Sequence, residues 1–174
     1  MHISAIRIAN FRRLNDVLID FAKDISILVG SNNSGKTSTA HILELFVRQE
    51  EKFSIHDFNS QSWSAMNEVG EAMAGAAMPN ISVDIWISVA EADLHRVIDI
   101  MPRLNWQGTE VGIRIKFAAR DLAGLVERFT QARAKAQEHI RYNEDDGSVA
   151  FHPPPRTMYD YLVSNLDDEF GLKY

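Results

Sequence analysis

The chain has 174 residues, 45% of them hydrophobic, and a formal net charge of −6. That length suits one domain with a sizeable core. No apolar run reaches the ~18 residues of a membrane helix, and a chain without cysteine has neither disulfides nor a thiolate metal site. The acidic balance argues against a dedicated nucleic-acid module, which is usually basic. The N-terminus lacks the basic start and apolar centre of a secretory signal, and the composition fits a reducing cytoplasm.

In chain order, residues 3–11 alternate as a strand with Ile6 and Ile8 on one face. After the turn Phe11-Arg12-Arg13-Leu14, residues 17–21 read as its hairpin partner. Residues 25–30 are apolar except for Ser26, which predicts a strand buried on both faces, Ile25 to Val29 lying inside a parallel or mixed sheet. A helix follows from Lys36 to about Val47, with Ala40, Leu43 and Val47 on one face. Residues 59–80 are rich in Ser, Asn, Gly and Ala and read as a flexible loop or insertion with room for a short helix, ending at Pro79. Residues 81–89 alternate as a strand, 91–101 as a short helix closed by Pro102, and 110–118 as a strand through Val111, Ile113, Ile115 and Phe117. Asp121 is placed to cap a long helix carrying Leu122, Leu125, Val126, Phe129, Ala132, Ala136 and Ile140. Residues 143–147 form a turn, 148–151 a short strand, and 157–170 a helix. No repeat and no reliable domain boundary is legible, so residues 1–174 read as a single, partial domain.

The chemistry lies at Gly30-Ser31-Asn32-Asn33-Ser34-Gly35-Lys36-Thr37, which matches G-x-x-x-x-G-K-[ST], the phosphate-binding P-loop. Gly30 and Gly35 let the backbone turn tightly and approach a phosphate. Successive N–H groups, with those of Lys36, Thr37 and Ser38 at the helix start, form an anion nest backed by the helix dipole. Lys36 is placed for the β- and γ-phosphates and the Thr37 hydroxyl for Mg²⁺. The expected ligands are therefore ATP and Mg²⁺.

Two strands and a P-loop strand within the first 30 residues resemble the ABC-type ATPase heads of the structural-maintenance-of-chromosomes and RecF class, and most closely the overcoming-lysogenization-defect (OLD) family of ATP-dependent endonucleases. The similarity is strongest over residues 1–47 and extends as a pattern over 48–120. It implies an α/β P-loop NTPase fold: an ABC-type head lobe with a mixed central sheet, an N-terminal β-hairpin and flanking helices, incomplete in this chain. From the resemblance, Asn10-Phe11-Arg12-Arg13 matches a segment that approaches the nucleotide from beside the P-loop, which makes Arg12 and Arg13 candidate phosphate contacts. Asn33 stands where this class often carries Asn or Gly-Ala. The resemblance further implies homodimerisation of ATPase heads, and DNA cleavage, repair or phage defence carried out by a longer parent protein.

Hydrolysis needs an acid at the end of a buried strand. The nearest string, residues 162–170, is interrupted by Ser164 and Asn165 and has helical spacing, so Asp167, Asp168 and Glu169 read as a solvated helix end. No signature segment, switch histidine or Toprim carboxylate cluster is visible. Gln61, Gln107, Gln131 and Gln137 are equivalent candidates for a Q-loop. The six histidines show no metal spacing. Trp63, Trp86 and Trp106 could stack a base, though Trp86, in an alternating strand, reads as core. Arg128, Arg133, Lys135 and Arg141, mingled with Glu127 and Glu138, read as a solvated face. Two other readings stand beside the ATPase lobe: a P-loop kinase or GTPase of another class, and a non-catalytic interaction module with a vestigial P-loop.

Overall fold

The computed structural model describes residues 1–32, 34–47, 52–101, 103, 106 and 108–174. Asn33, Pro102 and Gln107, and the side chain of Val47, lie outside the described residues. The chain folds as two compact units built from interleaved stretches. One comprises Met1–Glu51, Ile81–Lys116 and Leu172–Tyr174, the other Lys52–Asn80 and Phe117–Gly171. Such interleaving leaves no boundary in composition along the chain.

The first unit is built on strands β1 (His2–Phe11), β2 (Leu14–Asp20), β3 (Ile81–Ser88) and most of β4 (Glu110–Ala119). With β7 (Phe170–Lys173) they form a five-stranded sheet of order β2-β1-β3-β4-β7. The pairs described for β1 are antiparallel, with Ile6 opposite Ile19 and Ile85, and Ile8 opposite Val17 and Val83. This register aligns the apolar positions of adjacent strands on one face, and Ile6, Ile8, Ile81, Val83 and Ile85 are all buried. Helix α1 (Lys36–Val47) contributes Ile42, Leu45 and Phe46 to the core. Ala40, expected on its inner face, is exposed. The predicted helix over 91–101 is instead a pair of 3₁₀ segments, Glu91–Arg96 and Ile98–Ile100. They pack Leu94 and Ile100 with Trp106 against Val89, Val97 and Val111.

One expectation is overturned. Residues 25–29 are not a strand of the sheet. They run without regular structure, and Ile25, Ile27 and Val29 are 77%, 80% and 89% exposed. A parallel strand is stable only between neighbours that pair its backbone and cover both faces. Among the described residues no strand does either for this segment. The sheet observed is of the antiparallel hairpin kind, which closes without it.

The second unit holds α2 (Ser60–Gly70), α3 (Leu122–Gln137), the small hairpin of β5 (Arg141–Tyr142) and β6 (Val149–Phe151), and α4 (Met158–Glu169). Helix α2 lies within the stretch read as a loop or insertion. The Asn59 side chain caps it by accepting from the Gln61 N–H, and it buries Ser62, Met66 and Val69. Packing one stripe outweighs its weak propensity. Leu125 and Phe129 of α3 and Leu162 and Leu166 of α4 are buried as their spacing predicts. An aromatic cluster closes the core. Phe53 stacks on Phe117 with centroids 4.2 Å apart, and Phe58 meets Phe170 edge-on at 5.6 Å.

Glu169, expected in solvent, is 2% exposed. Arg128 donates to both its carboxylate oxygens, at 2.7 and 2.5 Å, and the Tyr161 hydroxyl donates at 2.9 Å. Arg133 reaches Glu71 at 2.6 Å. The basic face of α3 is thus partly engaged. Among the described residues no helix is long and apolar enough to cross a membrane.

Two outcomes follow from this packing. Ile27→Ser should change stability by less than about 0.5 kcal/mol, as at other exposed sites, while Ile8→Val should cost about 1 kcal/mol; chemical denaturation distinguishes them. The hydrogen bonds from Arg128 hold the Glu169 carboxyl below its ordinary range, with burial opposing. A carboxyl with a depressed folded pKa stabilises above its unfolded value and loses that contribution as pH falls through the folded one. Glu169→Gln should therefore lower stability at neutral pH and flatten its decline in acid, measured as unfolding midpoint against pH.

Candidate phosphate-binding site

The site is assembled from the β1–β2 turn and the segment entering α1. Phe11 and Leu14 pair across a two-residue connection, leaving Arg12 and Arg13 at its tip. Such tight connections favour positive φ. Arg12 adopts φ 50° and Asn10 φ 59°, the left-handed region that costs a non-glycine residue about 1 kcal/mol or more. The buried Phe11 ring anchors the turn, with the Arg12 guanidinium carbon 5.1 Å from its centroid.

Gly35 opens α1 at φ 96°, and a β-carbon there would lie 2.7 Å from Leu14 Cδ2. Glycine is required both for that backbone conformation and for the close approach of the hairpin. At Gly30 a β-carbon would meet Ser34 Oγ at 2.8 Å. The Gly35 carbonyl accepts from the Thr39 N–H at 2.9 Å and from the Thr39 hydroxyl at 3.1 Å. Thr39 is buried and holds the first turn closed.

Lys36 folds back over its own loop. Its Nζ donates to the carbonyls of Gly30 and Ser31, both at 2.6 Å, and to Ser34 Oγ at 3.2 Å. The ammonium has three donors, so these contacts fix it at the mouth of the loop. Arg12, Arg13, Asn32, Ser34, Gly35, Lys36, Thr37 and Ser38 line one recess of about 290 Å³. Gly30 and Ser31 border it through their contacts with Lys36. Of the P-loop and turn positions singled out in the sequence, only Asn33 lies outside the described residues.

The recess combines three cationic side chains, the hydroxyl groups of Ser34, Thr37 and Ser38 and a helix N-terminus, and its described lining contains no carboxylate. That chemistry suits a polyphosphate. Thr37 offers one oxygen to a metal. Among the described residues no three His, Cys, Asp or Glu side chains are grouped to hold one. A Mg²⁺ ion here would accordingly take most of its ligands from phosphate oxygens and water. Leu14 and Thr39 went unnoticed in the sequence. An apolar residue closing an otherwise charged turn was the available signal for Leu14, and a Thr three places after the P-loop lysine gave none.

A family model described as the AAA ATPase domain matches residues 1–173. No curated protein matches the chain significantly. Since the family match runs through both units, the chain belongs to the AAA ATPase domain family, a family of ATP-binding ATPases.

Proposed function

We propose that this chain is the ATP-binding N-terminal lobe of an ABC/SMC-like ATPase of the OLD type, taking ATP with Mg²⁺ at the P-loop. The observation that carries this reading is the shared recess of Arg12 and Arg13 with Gly35, Lys36, Thr37 and Ser38. Two arginines distant from the P-loop in sequence are brought beside it by the Leu14–Gly35 contact. In this reading the backbone N–H groups of residues 35–38 and the guanidinium groups take the phosphate oxygens. Lys36 keeps its two short carbonyl bonds and turns its third donor, now on Ser34 at 3.2 Å, to the β- and γ-phosphates. Thr37 carries the metal.

The exposure of Ile25, Ile27 and Val29 supports the lobe reading. Full burial of an aliphatic side chain is worth about 1.5–3 kcal/mol, so covering three of them would release a sum comparable with a domain's whole stability. An apolar segment of this kind calls for neighbouring strands supplied by a further lobe. The same lobe would supply the acid that positions the attacking water. Pairing of two such heads, and DNA cleavage, repair or phage defence by a parent protein, belong to the same proposal and rest on family resemblance. The other open readings, a kinase or GTPase and a module with a vestigial P-loop, lack a comparable observation.

Ground-state phosphate contacts do not by themselves accelerate hydrolysis. Calorimetric titration with Mg-ATP should therefore show binding that Lys36→Ala weakens at least about tenfold, the loss of one charge-assisted contact, without change in fold. Phosphate release should not exceed that of the Lys36→Ala protein, and plasmid DNA should not be nicked. Equal affinities of the two proteins would remove the assignment, and turnover near ~1 s⁻¹ would show a complete catalytic set within the chain.

A further inference from the structure

The sheet face opposite Ile6 and Ile8 carries a groove of about 580 Å³, separate in its lining from the phosphate recess. Its floor is Ala5. The register sets Ala5 directly between Asp20 of β2 and Trp86 of β3, so a small side chain sits between a carboxylate and an indole. The β1–β3 register shifts between Ile3 and Ala5, beside the groove. Beyond Trp86 lies Gly112 of β4, whose missing β-carbon would be 3.4 Å from the indole nitrogen. With no side chain there, the Nε1–Cδ1 edge of the Trp86 ring meets only bare backbone at that position. Trp86, read from alternation as core, is half-exposed on this face.

The charges are unevenly spent. Arg7 is held by Asp16 through two 2.6 Å hydrogen bonds. Arg114 is held by Asp84 at 2.6 and 2.7 Å. Asp20 and Glu110 also line the groove, and among the described residues neither enters an ion pair. The groove thus offers the half-exposed indole of Trp86, an apolar wall from Leu18, and two uncommitted carboxylates. Its one cation is already neutralised.

We propose that this groove binds a guanidinium group. A planar delocalised cation stacks on an indole face and meets a carboxylate through paired N–H donors. A compact ammonium satisfies only the charge. An anion would face uncompensated Asp20 and Glu110, and a purely apolar ligand would strand both carboxylates. The guanidinium could belong to a free guanidino compound or to an arginine side chain of a polypeptide, and these two sources share the chemistry that the groove reads.

The test follows the Trp86 indole N–H resonance, assigned by its loss in Trp86→Phe, during titration with N-acetyl-arginine amide, a capped Gly-Arg-Gly peptide and N-acetyl-lysine amide. Both arginine ligands should give saturable shifts with Kd of about 1 mM or tighter, and the lysine ligand should bind at least about fivefold more weakly. Asp20→Asn with Glu110→Gln, on exposed strand positions, should weaken arginine binding at least about tenfold. A peptide that binds at least tenfold tighter than the free amide identifies a polypeptide source; equal affinities identify a free guanidino compound. Absence of a saturable shift, equal affinity for lysine and arginine, or unchanged binding in the Asn/Gln variant would each overturn the proposal.

Discussion

The contact between Leu14 and Gly35 organises the N-terminal half of the chain. The Leu14 side chain packs closely on Gly35, where a β-carbon would lie 2.7 Å from its Cδ2 methyl, and the positive φ at Gly35 is reached without strain only by glycine. This one contact joins Leu14 and Gly35, which the sequence keeps 21 positions apart. It brings the arginine tip of the β1–β2 turn to the mouth of the P-loop, and it fixes where α1 starts and hence where the helix N–H groups point. The buried Thr39 and the Phe11 ring, on either side of the contact, keep the turn and the first helical turn in place. The three cations of the recess therefore owe their arrangement to apolar packing, because like charges alone would separate.

The same reasoning explains what could be read in the sequence. The P-loop was legible because its spacing encodes a backbone shape, and the hairpin because alternation over ten residues admits few alternatives. The burial of Ile6 and Ile8 followed from period alone. The reading of residues 25–29 went wrong because an apolar run records where a segment is stable, and says nothing of whether its neighbours are supplied. Among the described residues they are not, and the run stays outside the sheet.

Other misreadings have local causes. Helix α1 has apolar or small residues around most of its circumference, so periodicity chose Ala40 where packing chose Ile42, Leu45 and Phe46. Helix α2 is poor in strong helix formers and is held by a cap and by Met66 in the core. Glu169 ends an acidic string, yet the chain turns there into β7, which draws it inward to Arg128 and Tyr161. Trp86 shares the alternation of its strand, but lies half-exposed on the face opposite Ile85, across from Ala5. In each case the deciding partner is 30 or more residues away or is a matter of which face is covered, and neither is local information.

Membership of the AAA ATPase domain family and the shared recess bear on one account: the hairpin turn and the P-loop act together as a polyphosphate site. The affinity of Mg-ATP for Arg12→Ala/Arg13→Ala against the unaltered chain tests this most directly. Both arginines are exposed at a turn, so their removal should leave the fold intact by circular dichroism. The account predicts ATP binding weakened at least about tenfold, with a smaller effect on ADP, since each charge-assisted phosphate contact is worth roughly 1.5–3 kcal/mol. Undiminished ATP affinity in the double variant would contradict it.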